Sequence, residues 1–223
     1  MPRLIFDIET VGVDFDSLDE KSQEYLIKNA RTPEEAEEVK SKLSFSPLTG
    51  QIVAIGILNP DTDKGAVYFQ APGGNQEHSE EEGVQYFPST EKKILEKFWE
   101  IIQHYDQFVT FNGRSFDCPY IMIRSAVLKV KPSKNLVPYR YGDEHIDLFD
   151  RLGFFGAVRR TLNLHMWCQA LGIKSPKSEG VSGDEVDGLF KNKEYLTIAK
   201  YCFGDLRATK QLFEYWDKYI NIK

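Results

Sequence analysis

The sequence predicts an α/β protein in which a mixed central β-sheet is flanked by α-helices, with a helical insertion after the first strand. Three observations predict this fold class. The apolar run at 3–9 is typical of a buried strand, and the runs at 51–59 and 65–71 are separated by the turn-rich PDTDKG, which predicts a hairpin. Segments of helical period then alternate with a further short strand at 107–112. An antiparallel set followed by crossover units gives a mixed sheet.

Between the first strand and the hairpin, residues 16–43 are charged and have a helical pattern. Thr32 followed by Pro33 is typical of an N-cap and a first helical position. This stretch therefore predicts two surface helices. The acidic, glycine-containing stretch 73–83 (GGNQEHSEEEG) predicts an exposed, solvated loop.

The second half of the chain is predicted to be mainly helical. The expected elements are an amphipathic helix at 89–105, an apolar helix at 118–130 with Pro119 in its first turn, a loop at 131–144, a helix at 161–173 ending near Gly172, a flexible link at 174–183 and a helix at 194–219. For HIDLFD, at 145–150, the pattern leaves a short strand and a helix entry both open.

Composition limits the classes of function. The chain has 223 residues, of which 41% are apolar and 13% aromatic, enough for a sizeable core. No apolar run is long enough to cross a bilayer, and acids occupy the place of a signal peptide's apolar region, so we expect a cytoplasmic protein without membrane contact. A net charge of −6 argues against a broad basic surface for duplex DNA, but not against a cleft that holds a few nucleotides.

The cysteines give no sign of a zinc site. Cys118, Cys168 and Cys202 are scattered, odd in number and form no CxxC pair. We expect reduced, structural thiols.

The first candidate for chemistry is DIET, at 7–10. On a strand Asp7 and Glu9 project to one face and Ile8 to the other. Two carboxylates on one face are half of a site for a hard cation. The alternative is a pair of solvated acids at a strand end.

The second candidate is FNGRSFDCPYI, at 111–121. Asp117 follows a strand end and precedes Pro119 at a helix start. Asp117 as a simple N-cap, with Ser115 supporting the turn, is the alternative. Asn112 and Arg114 add further polar groups at an edge where open sheets bind ligands.

The third candidate is YCFGDLRAT, at 201–209. Tyr201 and Asp205 are four residues apart, so on a helix they share a face one turn apart. An aspartate on a partly buried helix is costly unless it binds something. The alternative is a tyrosine hydroxyl that bonds a capping or partner group.

Taken together, the three motifs resemble those of the DEDD 3′–5′ exonucleases of the ribonuclease H-like fold. Residue 200 is a lysine rather than a histidine, so the tyrosine subclass (DEDDy) fits. The second motif is similar to that of the proofreading domain of family B DNA polymerases, and the chain most resembles stand-alone predicted exonucleases related to that domain; HIDLFD and GVSGDEV also look like segments of those proteins. The resemblance spans residues 3 to about 220 apart from the insertion. It implies one 3′–5′ exonuclease domain over 1–223, with the helical insertion at about 14–46.

The resemblance also implies the chemistry. Two Mg²⁺ or Mn²⁺ ions would serve as cofactors, bound by carboxylates. Asp7 would bridge the ions, Glu9 and Asp205 would complete the ion that activates water, and Asp117 would act on the second ion, in part through water. Tyr201 would orient the attacking water rather than act as a base, because a tyrosine pKa is near 10.

The implied substrate is a single-stranded 3′ end of nucleic acid, with DNA favoured over RNA. Thr10 and the backbone beside it would contact the terminal nucleotide, and Asn112 would lie along the strand. Phe116 could stack on bases, with a place in the core as the favoured alternative. The cationic side chains that could meet phosphates, with a solvated surface as the alternative, are Arg114, Arg159, Arg160 and Lys174. A polymerase or repair protein is the expected kind of partner.

Three competing functions stay open at this stage. The chain could be a catalytically silent nucleic-acid-binding protein of the same fold, a ribonuclease H-type endonuclease, or a metal-independent hydrolase such as a two-carboxylate glycosidase. The complete set Asp7, Glu9, Asp117, Tyr201 and Asp205 counts against the silent protein, and a glycosidase needs no Tyr-x-x-x-Asp helix; the endonuclease is the nearer alternative, which cleavage inside a circular single strand would reveal.

Overall fold

The computed structural model describes residues 2–73, 77–160, 162–175 and 185–222. The strands are β1 (Arg3–Gly12), β2 (Gly50–Leu58), β3 (Gly65–Gln70), β4 (Ser79–Glu81), β5 (Val84–Ser89), β6 (Gln107–Thr110) and β7 (His145–Asp147). The α-helices are α1 (Glu20–Ile27), α2 (Pro33–Ser41), α3 (Glu91–Ile102), α4 (Asp117–Val127), α5 (Leu148–Leu152), α6 (Leu164–Leu171), α7 (Val186–Lys191) and α8 (Tyr195–Tyr219).

One seven-stranded mixed sheet forms the centre, in the order β4-β5-β3-β2-β1-β6-β7. Strand β1 pairs antiparallel with β2 and parallel with β6, so it lies inside the sheet with a neighbour on each side. The predicted hairpin is confirmed, since β2 and β3 pair antiparallel. The pairing of β1 with β2 shifts between Glu9 and Thr10, a bulge beside the first acidic motif.

Helices cover both faces of the sheet. Leu4, Phe6 and Ile8 of β1 pack in a core with residues of α3 and α4, whereas Ile5 and Val11 pack in a second core with residues of α8. This alternation follows from the two-residue period of a strand. The mixed sheet flanked by helices, as predicted, is confirmed.

A glycine lets α8 approach the sheet. Gly56 of β2 is the pairing partner of Asp7. A Cβ atom at position 56 would lie 2.7 Å from Leu206 Cδ1 and 3.0 Å from Cys202 Sγ. The missing side chain therefore makes room for the helix that carries the third motif.

The helical insertion is also confirmed in its secondary structure. Helices α1 and α2 occupy it, neither has a buried residue, and Thr32 caps α2 by accepting a hydrogen bond from the Glu35 amide at 3.3 Å. The end of the insertion is held to the body, because the Tyr120 hydroxyl donates to Ser44 O at 3.1 Å and Arg124 Nη1 donates to Pro47 O at 3.1 Å.

The prediction of a loop over 73–83 is wrong in part. Ser79–Glu81 form β4, which pairs antiparallel with β5. A three-residue strand with two exposed acids has no apolar alternation that a sequence could reveal. The described residues of this stretch are mostly exposed, as expected. Residues 74–76 lie outside the described part of the chain.

The sequence left a short strand and a helix entry both open for HIDLFD. The segment contains both, since β7 ends at Asp147 and α5 begins at Leu148. Gly172 ends α6 with a left-handed φ of 67°, as the sequence predicts. Strand β5 and helix α7 were not predicted. Most of the link predicted at 174–183, and Thr161 at the predicted start of α6, lie outside the described residues.

All three cysteines are buried and free, as expected. None of the helices that the structure describes combines the length and apolarity needed to span a membrane.

Candidate active site

The first acidic motif lies in the middle of the sheet, on the face that α8 covers. Asp7 and Glu9 of β1 share that face, and Ile8 packs in the opposite core. Asp7 is partly exposed, while Glu9 is only 8% exposed. The two carboxylates therefore lie on one side of the strand, as the sequence predicts.

Asp117 reaches this motif from the start of α4. The N-cap of α4 is Phe116, and Asp117 is the first helical residue. Its Oδ1 accepts a hydrogen bond from the Ile8 amide at 3.1 Å, between the two acids of β1. Asp117 is therefore more than a simple N-cap, because the N-cap position belongs to Phe116 and the buried Asp117 carboxylate bonds the amide of the neighbouring strand.

Tyr201 and Asp205 approach from α8. Both are partly buried and lie one helical turn apart on a shared face. Burial is the largest cause of the raised pKa of Tyr201, followed by the charges of Asp205, Glu9 and Asp7 and a hydrogen bond with Asp205. The hydroxyl therefore keeps its proton at neutral pH.

The carboxylates raise one another's pKa. Burial raises the pKa of Asp7 well above its usual range, and the charges of Asp117, Asp205 and Glu9 add to this effect. The pKa of Glu9 is likewise raised well above its usual range, by burial and by the charges of Asp205 and Asp117. For Asp117, burial raises the pKa to about 7, with Asp147 and Asp205 contributing and two backbone amides opposing. Without a counter-ion, this concentration of negative charge is unfavourable.

A divalent cation would relieve the repulsion. Asp7, Glu9 and Cys202 offer ligand atoms that all lie within 4.8 Å of one another. Asp117 and Asp205 are outside this tight group but interact with it electrostatically. The donor set fits a hard ion because its charged members are carboxylates.

Cys202 is a residue of this site that the sequence analysis treated only as part of the core. Its Sγ donates to the Asp7 carbonyl at 3.7 Å, and burial raises the pKa of the thiol well above its usual value. It is the neighbour of Tyr201 on α8 and three residues before Asp205. That helical spacing is a signal, but the sequence does not show that the thiol meets β1.

Two cavities flank the carboxylates. A cavity of about 410 Å³ is lined by Glu9, Thr10 and Phe116 on one side and by the end of the insertion on the other. A second, of about 350 Å³, is lined by residues that include Asp7, Asn112, Tyr201 and Asp205. Both are within the size range of small-ligand sites.

The predicted substrate residues divide between these cavities. Thr10 and Phe116 line the first cavity, and the Thr10 hydroxyl donates to Ser44 O at 3.0 Å. Phe116 also packs against the core, so both expectations for it hold in part. Asn112 lines the second cavity with a left-handed φ of 62°.

Asp147 is a supporting residue that the sequence analysis did not single out. Its carboxylate accepts hydrogen bonds from the amides of Asn112 at 2.8 Å, Arg114 at 2.9 Å and Phe149 at 3.0 Å. It thereby fixes the turn that precedes Asp117. The signal in the sequence was its place in HIDLFD, a segment that resembles one in the related predicted exonucleases.

Ser44 and Phe45 were also missed as cavity residues. They close the insertion and face Phe116, with the Phe45 and Phe116 ring centroids 6.4 Å apart. Phe45 is 61% exposed. No pattern in the sequence places the end of the insertion next to the second motif.

Residues 50–217 match a family described as predicted 3′–5′ exonucleases related to the exonuclease domain of PolB. The matched range contains Asp117, Tyr201 and Asp205, and it begins after Asp7 and Glu9.

Relatives with curated descriptions include two archaeal proteins. DNA polymerase 1 of Sulfolobus acidocaldarius is 32% identical over 115 residues, which is 48% of this chain and 13% of that protein. The DNA polymerase of Pyrococcus horikoshii is 27% identical over 217 residues, 86% of this chain and 17% of that protein. The chain therefore spans less than a fifth of the length of these relatives.

Among solved structures, the family B DNA polymerase of the hyperthermophilic archaeon Pyrobaculum calidifontis is similar, with a TM-score of 0.59 at 17% identity. The similarity covers 96% of this chain and 24% of the polymerase chain. At this identity the likeness concerns the fold. The predicted ribonuclease H-like α/β class is confirmed.

Proposed function

Because the chain belongs to the family of predicted 3′–5′ exonucleases related to the exonuclease domain of PolB, we propose that it hydrolyses the terminal phosphodiester bond at single-stranded 3′ ends, with DNA as the preferred polymer. The reaction is metal-dependent and uses two divalent ions. The residues that carry it are Asp7, Glu9, Asp117, Tyr201 and Asp205.

One observation supports this proposal above the others. The three motifs, which are more than 80 residues apart in sequence, meet in one cluster in which Asp7 interacts electrostatically with Asp117, Asp205 and Glu9. A cluster of carboxylates that raise one another's pKa is poorly explained as a structural feature. It is well explained as a site that binds cations and uses them for phosphoryl transfer.

In this proposal the carboxylates hold two Mg²⁺ or Mn²⁺ ions. Asp7, Glu9 and Asp205 would hold one ion, and Asp7 and Asp117 would hold the other. When bound, the ions supply an acidified water molecule and neutralise charge on the phosphoryl oxygens and the leaving 3′ oxygen. Cys202 keeps its proton and remains a packing residue, since hard ions prefer oxygen ligands.

Tyr201 holds the attacking water in place. Its raised pKa keeps the hydroxyl neutral, so it acts as a hydrogen-bonding group and not as a general base. Asp205, one turn away on α8, fixes the direction of that hydroxyl.

We propose that the substrate lies across the two cavities. The 3′-terminal nucleotide occupies space beside Thr10 and Phe116, and the preceding part of the strand passes Asn112. The proposal requires an unpaired end, because only an unpaired end can thread its terminal phosphates between the carboxylates. The experiment described next compares the cleavage rates of DNA and RNA, so it also measures the preference of the wild-type protein between them.

The test is a time course on single-stranded DNA and RNA of one sequence, each labelled at the 5′ or the 3′ end, with Mg²⁺, Mn²⁺ or EDTA. The wild-type protein is expected to shorten the 5′-labelled strand from its 3′ end with either ion and to leave it intact in EDTA. Asp205→Asn is expected to lower the rate at least 10³-fold, a rough figure for losing a charged group at a metal site. Asp217→Asn, an exposed position on the same helix, is the matched control and should retain full activity.

No cleavage of either polymer by the wild-type protein would contradict the proposal and favour a catalytically silent nucleic-acid-binding protein. Cleavage inside a circular single strand would favour a ribonuclease H-type endonuclease. Full activity in EDTA would exclude the metal-dependent mechanism.

A further inference from the structure

A thiol lies among the acids of the first motif. One carboxylate oxygen each from Asp7 and Glu9 of β1 and the Sγ atom of Cys202 of α8 all lie within 4.8 Å of one another. Cys202 is not one of the five residues to which the proposed reaction assigns a role. We call these three residues the thiol–carboxylate cluster. No cysteine motif marks it in the sequence, because Asp7 and Cys202 are 195 residues apart.

Glu9 gives independent evidence that a cation belongs here. The residue is only 8% exposed. In the part of the chain that the structure describes, no group donates a hydrogen bond to its carboxylate; burial and two like charges act on it instead. A buried carboxylate without a donor is costly. Its oxygen lies beside the Asp7 carboxylate and the Cys202 sulfur, so a cation shared by the three groups would be the missing partner.

The spacing of the three atoms suits an ion that binds both oxygen and sulfur. Zn–O and Zn–S bonds of about 2.0–2.3 Å put the ligand atoms of one tetrahedral ion about 3.5 Å apart. The cluster therefore has to close by roughly 1 Å, a movement that rotation of the carboxylate side chains can supply. Three protein ligands leave the fourth tetrahedral position to water.

An ion can reach the cluster from two sides. Asp7 lines the cavity of about 350 Å³, and Glu9 lines the cavity of about 410 Å³. Cys202 is fully buried and donates to the Asp7 carbonyl at 3.7 Å. The carboxylates are thus the accessible part of the cluster, and the sulfur is its buried part.

The sulfur decides which ion the cluster prefers. Mg²⁺ is a hard ion that gains nothing from a thiol, whereas Zn²⁺ binds thiolate and carboxylate ligands together. The affinity of such a mixed site also rises from Mn²⁺ to Zn²⁺. When Zn²⁺ binds, the S–H bond of Cys202 is replaced by a Zn–S bond and the proton is released to water.

We propose that the thiol–carboxylate cluster binds Zn²⁺ through Asp7, Glu9 and Cys202, and that bound Zn²⁺ inhibits the exonuclease at concentrations well below those of Mg²⁺. The binding of Zn²⁺ does not depend on the proposed function. The inhibition rests on it, because Zn²⁺ holds two carboxylates that the proposed reaction needs for its own ions.

The first test detects the metal–sulfur bond itself. Cd²⁺, a softer analogue of Zn²⁺, is added to the reduced, metal-free wild-type protein without Mg²⁺, and the ultraviolet charge-transfer band of a Cd–thiolate bond is recorded. We expect a band that saturates at a single Cd²⁺ per chain and that excess Zn²⁺ removes by displacing Cd²⁺. Carboxylates alone give no such band. Its absence in the wild-type protein would overturn the proposal without recourse to any variant.

Two alanine variants assign the sulfur. Cys202→Ala should lose the band, whereas Cys168→Ala, which removes another fully buried cysteine of the same core, should keep it. Glu9→Gln leaves the thiol in place and should raise the Cd²⁺ concentration at half saturation about tenfold or more, since even outer-shell partners of a metal contribute about 10–100-fold in affinity. A band that survives in Cys202→Ala would place the ion elsewhere and contradict the proposal.

The second test measures inhibition. Strand shortening is followed in excess Mg²⁺ with increasing Zn²⁺, and each protein is compared with its own rate in the absence of Zn²⁺. Cys202→Ala should need about tenfold or more Zn²⁺ for half inhibition than the wild type, and Cys168→Ala should match the wild type. Equal sensitivity of the wild type and Cys202→Ala would show that the carboxylates alone bind Zn²⁺, which would refute the role of the thiol.

The outcomes separate the two proposals. A wild-type protein that gives the Cd–thiolate band but cleaves no nucleic acid has the zinc site and lacks the exonuclease function. A protein that cleaves its substrate with Mg²⁺ but gives no band keeps the exonuclease function and lacks the zinc site.

Discussion

Asp117 illustrates how a buried carboxylate links stability to the proposed metal site. Its pKa is raised to about 7, mainly by burial, whereas the usual value is 3.8. Between these values the folded protein binds more protons than the unfolded chain does. The contribution of Asp117 to the stability of the metal-free protein therefore falls as pH rises from about 4 to about 7 and stays low above that.

Asp117→Asn removes this cost, and it keeps an oxygen that can accept from the Ile8 amide. We expect the Tm of the metal-free variant in EDTA to exceed that of the wild type by about 5 °C or more at pH 8, and the gain to disappear near pH 4. Thermal unfolding followed by circular dichroism at both pH values measures this difference. With excess Mg²⁺ the gain should shrink, because the ion stabilises only the wild-type site fully. A gain that is equal at pH 4 and pH 8 would contradict the electrostatic explanation.

Tyr201 allows a test of its assigned role. Tyr201→Phe keeps the ring on α8 but removes the hydroxyl that, in the proposed function, holds the attacking water. We expect kcat to fall roughly 10²-fold and KM to change little, since the hydroxyl acts in the chemical step. Tyr215→Phe on the same helix is the matched control. A rise in KM with kcat unchanged would instead assign Tyr201 to substrate binding.

At the scale of elements, the distance between α8 and the sheet depends on Gly56. A Cβ atom there would lie 2.7 Å from Leu206 Cδ1, closer than packed carbon atoms tolerate. We expect Gly56→Ala to lower the free energy of unfolding by about 1–3 kcal/mol and to reduce exonuclease activity, because α8 carries Tyr201 and Asp205.

Gly188→Ala provides the control for this substitution. Gly188 lies in α7, and a Cβ atom there would meet nothing within 4 Å. Alanine should leave activity unchanged and stabilise the helix by up to about 1 kcal/mol. Urea unfolding and the strand-shortening assay measure both variants. If Gly56→Ala behaved like Gly188→Ala, the close approach of α8 would not be what positions the third motif.

The elements themselves were predictable to different degrees. The long helices α3, α4 and α8 and the apolar strands β1 to β3 show clear periodicity, so their type followed from the sequence. Strand β4 and helix α7 did not, because three and six residues are too short for a period to be recognised. Their conformation depends on pairing and packing with neighbours.

At the scale of the whole molecule, we propose that residues 1–223 form a single exonuclease domain with its helical insertion at about 14–46. The chain then should unfold in one cooperative transition. Trp99, Trp167 and Trp216 lie in α3, α6 and α8, on both faces of the sheet. Their fluorescence and the far-ultraviolet circular dichroism are expected to give coincident urea transitions. Two separate transitions would show that part of the chain folds independently.

The sequence alone determined the fold class, the order of the three acidic motifs and the face on which each pair of residues lies. These properties are local, since a strand places residues two apart on one side and a helix places residues four apart on one side. Together with the resemblance of the three motifs to those of the DEDD 3′–5′ exonucleases, they identified Asp7, Glu9, Asp117, Tyr201 and Asp205 as a candidate set.

Only the tertiary structure decided which other residues join them. Cys202 meets the Asp7 carbonyl, Asp147 fixes the turn before Asp117, and the insertion brings Phe45 to Phe116. Each of these interactions joins residues from different elements. It depends on how closely helices and strands pack, and no sequence period encodes that distance.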